Sequence, residues 1–465
     1  MGRFENYSPC TDEFEALRGR RRDMADQGLS FERRVSRRQV LKTIGGGALM
    51  LGSADLLAAC GGIKGSSTTS SGTIVIGYVS PQTGALAGFA SGDNYVLDQV
   101  RATSTYKNGF KLGSKTYDVK IVVKDTQSSP DRASQVARDL ILTDKADLIL
   151  TSSTPETTNP VADACEANGI PCVSTIVPWE AWFFARGGKP GTSFNFTTMF
   201  FFGMQQFGEC FIPMWDRMNT NKVVAFTYPN DADGNAFRDN KTGLEFYSAQ
   251  AGYHNIDGGS YTDGTQDYSS MIANFKSKGA TLFTNAPIPP DFNTMWKQAA
   301  QAGFKPKLAT VAKVLLFPAD TEAIGDLVNN VATDAWWTPY HPYTSTLTGQ
   351  TCKQFADSFE SATGKQWVQS IGSVHSLFEI AHKAFTAVDD PHNHTAVAAQ
   401  LKSMNYTGIS GPLDFTTGPV PGVAIQKPVG VQWKKGTKFP YSMVVVDNSA
   451  NKNVPLNGDL VPTNP

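Results

Sequence analysis

The side chains of this 465-residue chain that could do chemistry are arranged for holding a molecule rather than for breaking one. Its six histidines, His254, His341, His375, His382, His392 and His394, form no triad or metal-ligand spacing, and G-x-S-x-G, G-x-G-x-x-G and H-E-x-x-H are all missing. No C-x-x-C or H-x-x-x-H occurs, so neither a metal site nor a cofactor is expected. Hydroxyls, amides and aromatic rings cluster instead in short polar stretches: Ser80 to Gly84 with Gln82 and Thr83, Thr151 to Thr154 with Ser153, and Thr175 to Trp179 with Ile176. Further along come Tyr228 to Gly234 with Asp233, Asn285 to Pro290, and Val311 to Lys313. Such groups recognise a small molecule by hydrogen bonds and offer few candidate catalytic bases.

Each of these stretches follows a short apolar run with strand composition. The runs are Thr73 to Val79, Asp147 to Leu150, Pro171 to Thr175, Val223 to Tyr228, Thr281 to Asn285 and Lys307 to Val311, with Tyr117 to Lys124 a further strand. Between them lie segments with helical spacing. Gly92 to Ala102 carries Tyr95, Leu97 and Val100, and Ser129-Pro130-Asp131 opens a helix to Leu142. Asn159 to Asn168 is a helix stopped by Gly169, Asp267 to Lys278 another, and Asp291 to Ala302 a third with Phe292, Met295, Trp296 and Ala299 on one face. Alternating strand and helix with short connections predicts α/β architecture in two doubly wound parallel-sheet units. Ligands of such sheets sit beyond the carboxyl ends of the strands, which is where the polar stretches fall.

A net charge of -1 and 18% charged residues leave no electrostatic footprint for nucleic acid, and a monomer is expected. The N-terminal region is of another kind. Ser36-Arg37-Arg38-Gln39-Val40-Leu41-Lys42 and the apolar run Ile44 to Ala59 resemble a twin-arginine export signal built on Arg37 and Arg38. Leu57-Ala58-Ala59-Cys60 resembles a lipobox, which makes Cys60 the expected lipid anchor on the membrane's outer face or in the periplasm. The other reading is a small-residue cleavage site with an incidental cysteine. Residues 1–59 are thus expected to be a discarded signal, and 60–72 a flexible Gly/Ser tether. In an oxidising exterior Cys165, Cys172, Cys210 and Cys352 could pair, with Cys165 and Cys172 the closest in sequence.

From Thr73 onward the chain resembles the type I periplasmic binding proteins of ABC importers, in the branch similar to leucine/isoleucine/valine-binding proteins. The resemblance rests on IVIGYVSPQTG (Ile74 to Gly84), KDTQSSPDRASQVARDLIL (Lys124 to Leu142), QDYSSMIANFKSKGATLF (Gln266 to Phe283), FNTMWKQAAQAGFKP (Phe292 to Pro306) and SGPLDF (Ser410 to Phe415). It implies two lobes joined by three crossover strands, placed near Phe194 to Thr198, Ala332 to Trp337 and Pro412 to Phe415. Lobe 1 would then be 73–196 plus 335–412, and lobe 2 would be 197–334 plus 413–465. It also implies a small organic solute, amino acid-like, an amide or an aromatic acid, bound between the lobes and delivered to an ABC permease and its ATPase. The family's first-lobe loops match at Ser153-Thr154-Pro155 and Ser174-Thr175-Ile176. In the second lobe the family's tyrosine position falls near Asp233 and its acidic position near Ala312 or Lys313.

A lysine in place of that carboxylate suits an anionic ligand if it faces the cleft, and is otherwise an exposed surface residue. Gln82, Thr83, Asn285, Trp179 and Trp336 complete the expected binding set. Trp336 and Trp337 sit at a crossover, where adjacent residues face opposite ways, so at most one of them lines the cleft. His375 and His382, seven apart on a predicted helix, are expected to be packing or surface residues, and His392-Asn393-His394 a solvated loop. Two other functions remain compatible with the sequence: a ligand sensor that hands its closed state to a signalling receptor, and, with less support, an exported enzyme.

Overall fold

The computed structural model describes residues 70–463. The expectations for Arg37, Arg38 and Cys60 therefore lie outside the described residues. The described chain begins with the strand β1 (Thr73–Ser80), whose last five residues are all buried. That continuous burial is what a central strand covered on both faces requires. There follow β2 (Phe110–Leu112), β3 (Lys115–Asp125), β4 (Leu148–Thr151), β5 (Cys172–Thr175) and β6 (Thr197–Phe201). The chain then builds β7 (Val223–Pro229), β8 (His254–Tyr261), β9 (Leu282–Asn285), β10 (Leu308–Val311) and β11 (Ala332–Ala335). After three helices come the hairpin β12 (Asn405–Gly408) and β13 (Gly411–Asp414), then β14 (Val423–Ile425), β15 (Val429–Lys435) and β16 (Tyr441–Asp447).

These strands form two seven-stranded sheets and the small hairpin. The first has the order β14-β6-β5-β4-β1-β3-β2, the second β16-β15-β11-β10-β9-β7-β8. Both are parallel in their interiors and antiparallel at one edge, where β2 joins β3 and where β15 and β16 extend from β11. Two α/β lobes with mostly parallel sheets result, as the alternation of strands and helices predicts.

The chain passes between the sheets three times: after Phe201, after Ala335 and between Ile425 and Val429. The first and last passages lie further along than the expected Phe194 to Thr198 and Pro412 to Phe415. Thr197–Phe201 is buried at every position and pairs with β5, which keeps it in the first sheet. Val423–Ile425 returns to the other side of that strand, whereas Gly411–Asp414 only closes the hairpin. Gly203 marks the first passage. A Cβ there would come within 2.2 Å of Glu180 Oε2 and 2.3 Å of the Trp179 ring, so only glycine fits.

Helix termini follow local chemistry. Ser129 caps Pro130–Leu142 by accepting from the Arg132 N–H, with proline in the first turn. The helix expected over Asn159 to Asn168 begins one turn earlier, at Pro155, and ends at Gly169 in the left-handed conformation. The helix Ser370–Thr386 is buried on nearly all sides against the first sheet, with His375 Nε2 2.7 Å from Ser345 Oγ and His382 stacked edge-on against Phe110. His392 lies exposed in a turn, as expected, with its Nδ1 2.7 Å from Asp147 Oδ1, whereas His394 begins the helix His394–Lys402. Cys165 and Cys172 are buried together in one apolar cluster, and neither they nor Cys210 and Cys352 are bonded to one another. Among the described residues, no helix is long and apolar enough to cross a membrane.

Candidate functional site

The carboxyl ends of the two sheets meet around a cavity of about 30 Å³, room for one or two water molecules. From the first sheet, the turn after β4 supplies Thr154, the turn after β5 supplies Ile176 and Pro178, and the end of β6 supplies Phe201. Phe89 joins them from the short 3-10 helix Ala87–Ala90. From the second sheet, the turn after β7 leads into the helix Ala232–Arg238, which supplies Asp233 and Phe237. The turn after β10 supplies Ala312, Lys313 and Leu316, and β11 with its continuation supplies Asp334 and Trp336.

The electrostatic centre is Lys313, which is buried. Its Nζ lies 2.8 Å from Asp231 Oδ2, 2.8 Å from Asp233 Oδ2 and 3.3 Å from Glu156 Oε1. The ammonium occupies the space among three carboxylates whose oxygens all lie within 4.8 Å of one another, a spacing that would also suit a metal ion. Burial alone would lower the Lys313 value, but Asp233, Glu156 and Asp231 more than offset this and hold it well above the ordinary range. Three carboxylates share one positive charge, so they cannot all ionise freely. Burial, with Glu156 and Asp231 nearby, pushes Asp233 up to about 7 against the pull of Lys313. Burial would likewise raise Glu156, but Lys313 draws it below its usual value. Because Glu156 stands in the first turn of Pro155–Asn168, in the first lobe, its contact with Lys313 ties the two lobes together.

A second carboxylate faces the cavity with no cation paired to it among the described residues. Asp334, 1% exposed, is pushed up to about 7 by burial, and the one side chain bonded to it is the Thr333 hydroxyl at 3.4 Å. Three further atoms of lining residues are buried with no hydrogen-bond partner: Thr154 Oγ1, Asp233 Oδ1 and Trp336 Nε1. Buried polar atoms are nearly always paired, so orphans gathered at one cavity mark a place for a ligand's own polar groups. The remaining wall is aromatic. Phe201 meets Trp336 edge-on with centroids 5.0 Å apart, and Phe207 and Phe237 lie 4.8 Å apart. Beside the cavity, a groove of about 440 Å³ runs between Glu180–Ala185 and residues 232–242, sharing the helix Ala232–Arg238 with it.

Of the residues expected to bind, the structure brings Thr154, Ile176, Asp233, Lys313 and Trp336 to this cavity. The others lie elsewhere. The Thr83 hydroxyl donates to Asp125 Oδ2 at 2.6 Å, and Asp125 also accepts from the Gln82 N–H. The Thr175 hydroxyl donates to the Phe200 carbonyl inside the sheet, and Ser153 is wholly buried, its carbonyl bonded to the Thr157 hydroxyl. Asn285 accepts from Tyr261 and from the Ala286 N–H. Trp179 is half-buried and packs on Phe183 and Phe184. Trp337 faces away from the cavity, with its ring against Phe355 and Trp367. Lys313 is neither a surface lysine nor a free cation for an anionic ligand, because its charge is already matched by three carboxylates.

Sequence reasoning passed over Glu156, Asp231, Asp334, Phe89, Phe207 and Phe237. Glu156 looks like an ordinary carboxylate complementing a helix N-terminus. Asp334 did carry a signal, being a lone charge within the buried run Val331 to Trp337.

A family model described as periplasmic binding protein matches residues 73–438. Comparison with curated proteins finds no match. Among solved structures, the leucine binding protein LivK from Thermotoga maritima superposes with a TM-score of 0.64 at 18% identity, covering 80% of this chain and 97% of that one. LivJ from Streptococcus pneumoniae, a branched-chain amino acid transporter substrate binding protein solved with isoleucine, gives 0.60 at 15% identity, covering 84% and 99%. A solute binding protein of an ABC transporter from Rhodopseudomonas palustris, in complex with 4-hydroxybenzoate, gives 0.64 at 16% identity, covering 81% and 96%. At these identities the likeness is one of fold alone: two α/β lobes with mostly parallel sheets. With the family model matching well over half of its length, this chain belongs to the periplasmic binding protein family.

Proposed function

We propose that the protein is the extracytoplasmic solute-binding component of an ABC importer, exported through Arg37 and Arg38 and held at the membrane by a lipid on Cys60. As a monomer, it captures a small organic solute between its lobes and presents the closed form to a permease and its ATPase. The observation that carries this reading is the lobe-spanning cavity, where orphaned polar atoms and aromatic rings from the ends of both sheets converge. A solute that touches both walls favours the closed arrangement by its contacts to each, which shifts an existing equilibrium and needs no bond to break. The Lys313–Glu156 contact, which crosses from one lobe to the other, must part for the solute to enter.

The test is a thermal-shift screen of the protein against amino acids, amides, aromatic acids and amines. A solute at 100 times its dissociation constant stabilises by about 2.7 kcal/mol. A raised melting temperature without consumption of the solute supports the reading. Turnover of a chromogenic ester or amide, with no member of the screen binding, contradicts it.

A further inference from the structure

Resting on the solute-binding reading above, the charge and orphaned groups of the cavity narrow the chemistry of what it holds. We propose that the solute is a small organic cation, an ammonium or amidinium compound without a carboxylate, whose charge is taken by Asp233 and Asp334 and whose apolar part lies against Phe201, Phe237 and Trp336.

The site is strongly acidic. Glu156, Asp231, Asp233 and Asp334 supply four carboxylates against the single ammonium of Lys313, and Lys313 is the one basic residue on the cavity wall. That ammonium is already in contact with three of the four, and Asp231 and Asp233 still match its charge when the Glu156 contact parts. An anionic solute would place a further negative charge beside Asp233 and Asp334 in a largely buried site, where like charges raise one another's cost of ionisation steeply. A cation reverses the sign of that interaction.

The orphaned atoms agree with this. Asp233 Oδ1 is a buried acceptor with no donor, and Asp334 has only a distant hydroxyl. Both are 3% exposed or less, so bulk water does not reach them and an ammonium or amidinium N–H answers both. Aromatic faces add attraction for such a charge where the cation is desolvated. The Trp336 indole N–H and the Thr154 hydroxyl, also unpartnered, suit an additional polar group on the solute. As the lobes part at Glu156 and Lys313, the adjoining groove along Ala232–Arg238 offers a path to the site.

Isothermal titration calorimetry on the intact protein tests this with tetramethylammonium, propylamine and benzamidine as cations, and leucine, isobutyramide and 4-hydroxybenzoate as the alternatives. The expected result is binding of at least one cation more than tenfold tighter than any of the other three. Asp334→Asn should weaken that cation at least tenfold, and Phe237→Leu, which leaves every charge in place, should weaken it severalfold. If leucine, isobutyramide or 4-hydroxybenzoate binds more tightly than all three cations, or if a cation's affinity is unmoved by both substitutions, the cationic assignment is overturned while solute binding stands. If none of the six binds, the cationic assignment is overturned, and the solute-binding reading is decided separately by the thermal-shift screen.

Discussion

The two walls of the cavity differ in kind. The first-lobe wall is mostly apolar, with Phe89, Ile176, Pro178 and Phe201 around the one hydroxyl of Thr154, and sends across a single carboxylate from beside the cavity, Glu156. The second-lobe wall carries the charge, with Lys313 and Asp233 in an ion cluster completed by Asp231, and Asp334 standing apart. One wall therefore supplies shape and the other supplies electrostatics. The sole ionic contact among the described residues that joins them at the cavity is the one between Glu156 and Lys313. The division separates two properties: the second lobe's charges must balance for the fold to be stable, whereas the cross-lobe contact sets how readily the lobes part.

Lys313→Met should show the largest effect. It leaves three carboxylates facing one another in a buried site, and breaking a buried ion pair from one side costs about 3–5 kcal/mol. Chemical denaturation at pH 8 measures it, and a loss below about 1 kcal/mol would show that the cluster is not what balances the second wall.

Asp334→Asn should work the other way. The folded value of Asp334, about 7, lies above its ordinary 3.8, so between those pH values the folded protein holds a proton that the unfolded chain releases. Its contribution therefore makes stability fall as pH rises from about 4 to 7, and the penalty is full above that. The amide removes the penalty, so stability at pH 8 should rise by about 2 kcal/mol and the slope between pH 4 and 7 should flatten. An unchanged slope would mean that Asp334 ionises without cost.

Trp179→Ala probes the first lobe away from the cavity. The half-buried ring packs over Gly203 and against Phe183 and Phe184, so its loss should cost about 1–2 kcal/mol of stability with solute affinity unchanged. Weaker binding at unchanged stability would place Trp179 in the site after all. The smallest stability effect belongs to Glu156→Gln, about 1 kcal/mol, because Asp231 and Asp233 still hold Lys313. Its consequence should instead be a shift toward separated lobes.

The fold was legible because buried parallel strands announce themselves as short apolar runs with turn chemistry at both ends. Leu148–Thr151 and Leu308–Val311 are apolar at three of four positions and Leu282–Asn285 at two, and all three are buried throughout. The passages between lobes were harder to place. Nothing in the composition of Thr197–Phe201 or Val423–Ile425 distinguishes a strand within one sheet from a strand leaving it; the pairing with β5 and β6 decides. Within the site, the strand-end rule located Thr154, Ile176, Asp233 and Lys313 but could not tell where their partners lay. Thr83 and Thr175 have the right residue type at the right place, and their hydroxyls are engaged by Asp125 and the Phe200 carbonyl. Lys313 shows the same limit in reverse, since the carboxylates that neutralise it come from positions 156, 231 and 233, far apart in sequence.

The most direct test of a two-lobed binder closed across its cavity is the distance between the lobes. Labels on cysteines introduced at two exposed positions, Lys189→Cys in the first lobe and Lys241→Cys in the second, report it by pulsed electron spin resonance, with the four described native cysteines buried. Glu156→Gln should lengthen and broaden the distribution, and a bound solute should return it to a short, narrow one. A distribution that responds neither to the substitution nor to any solute would contradict the account.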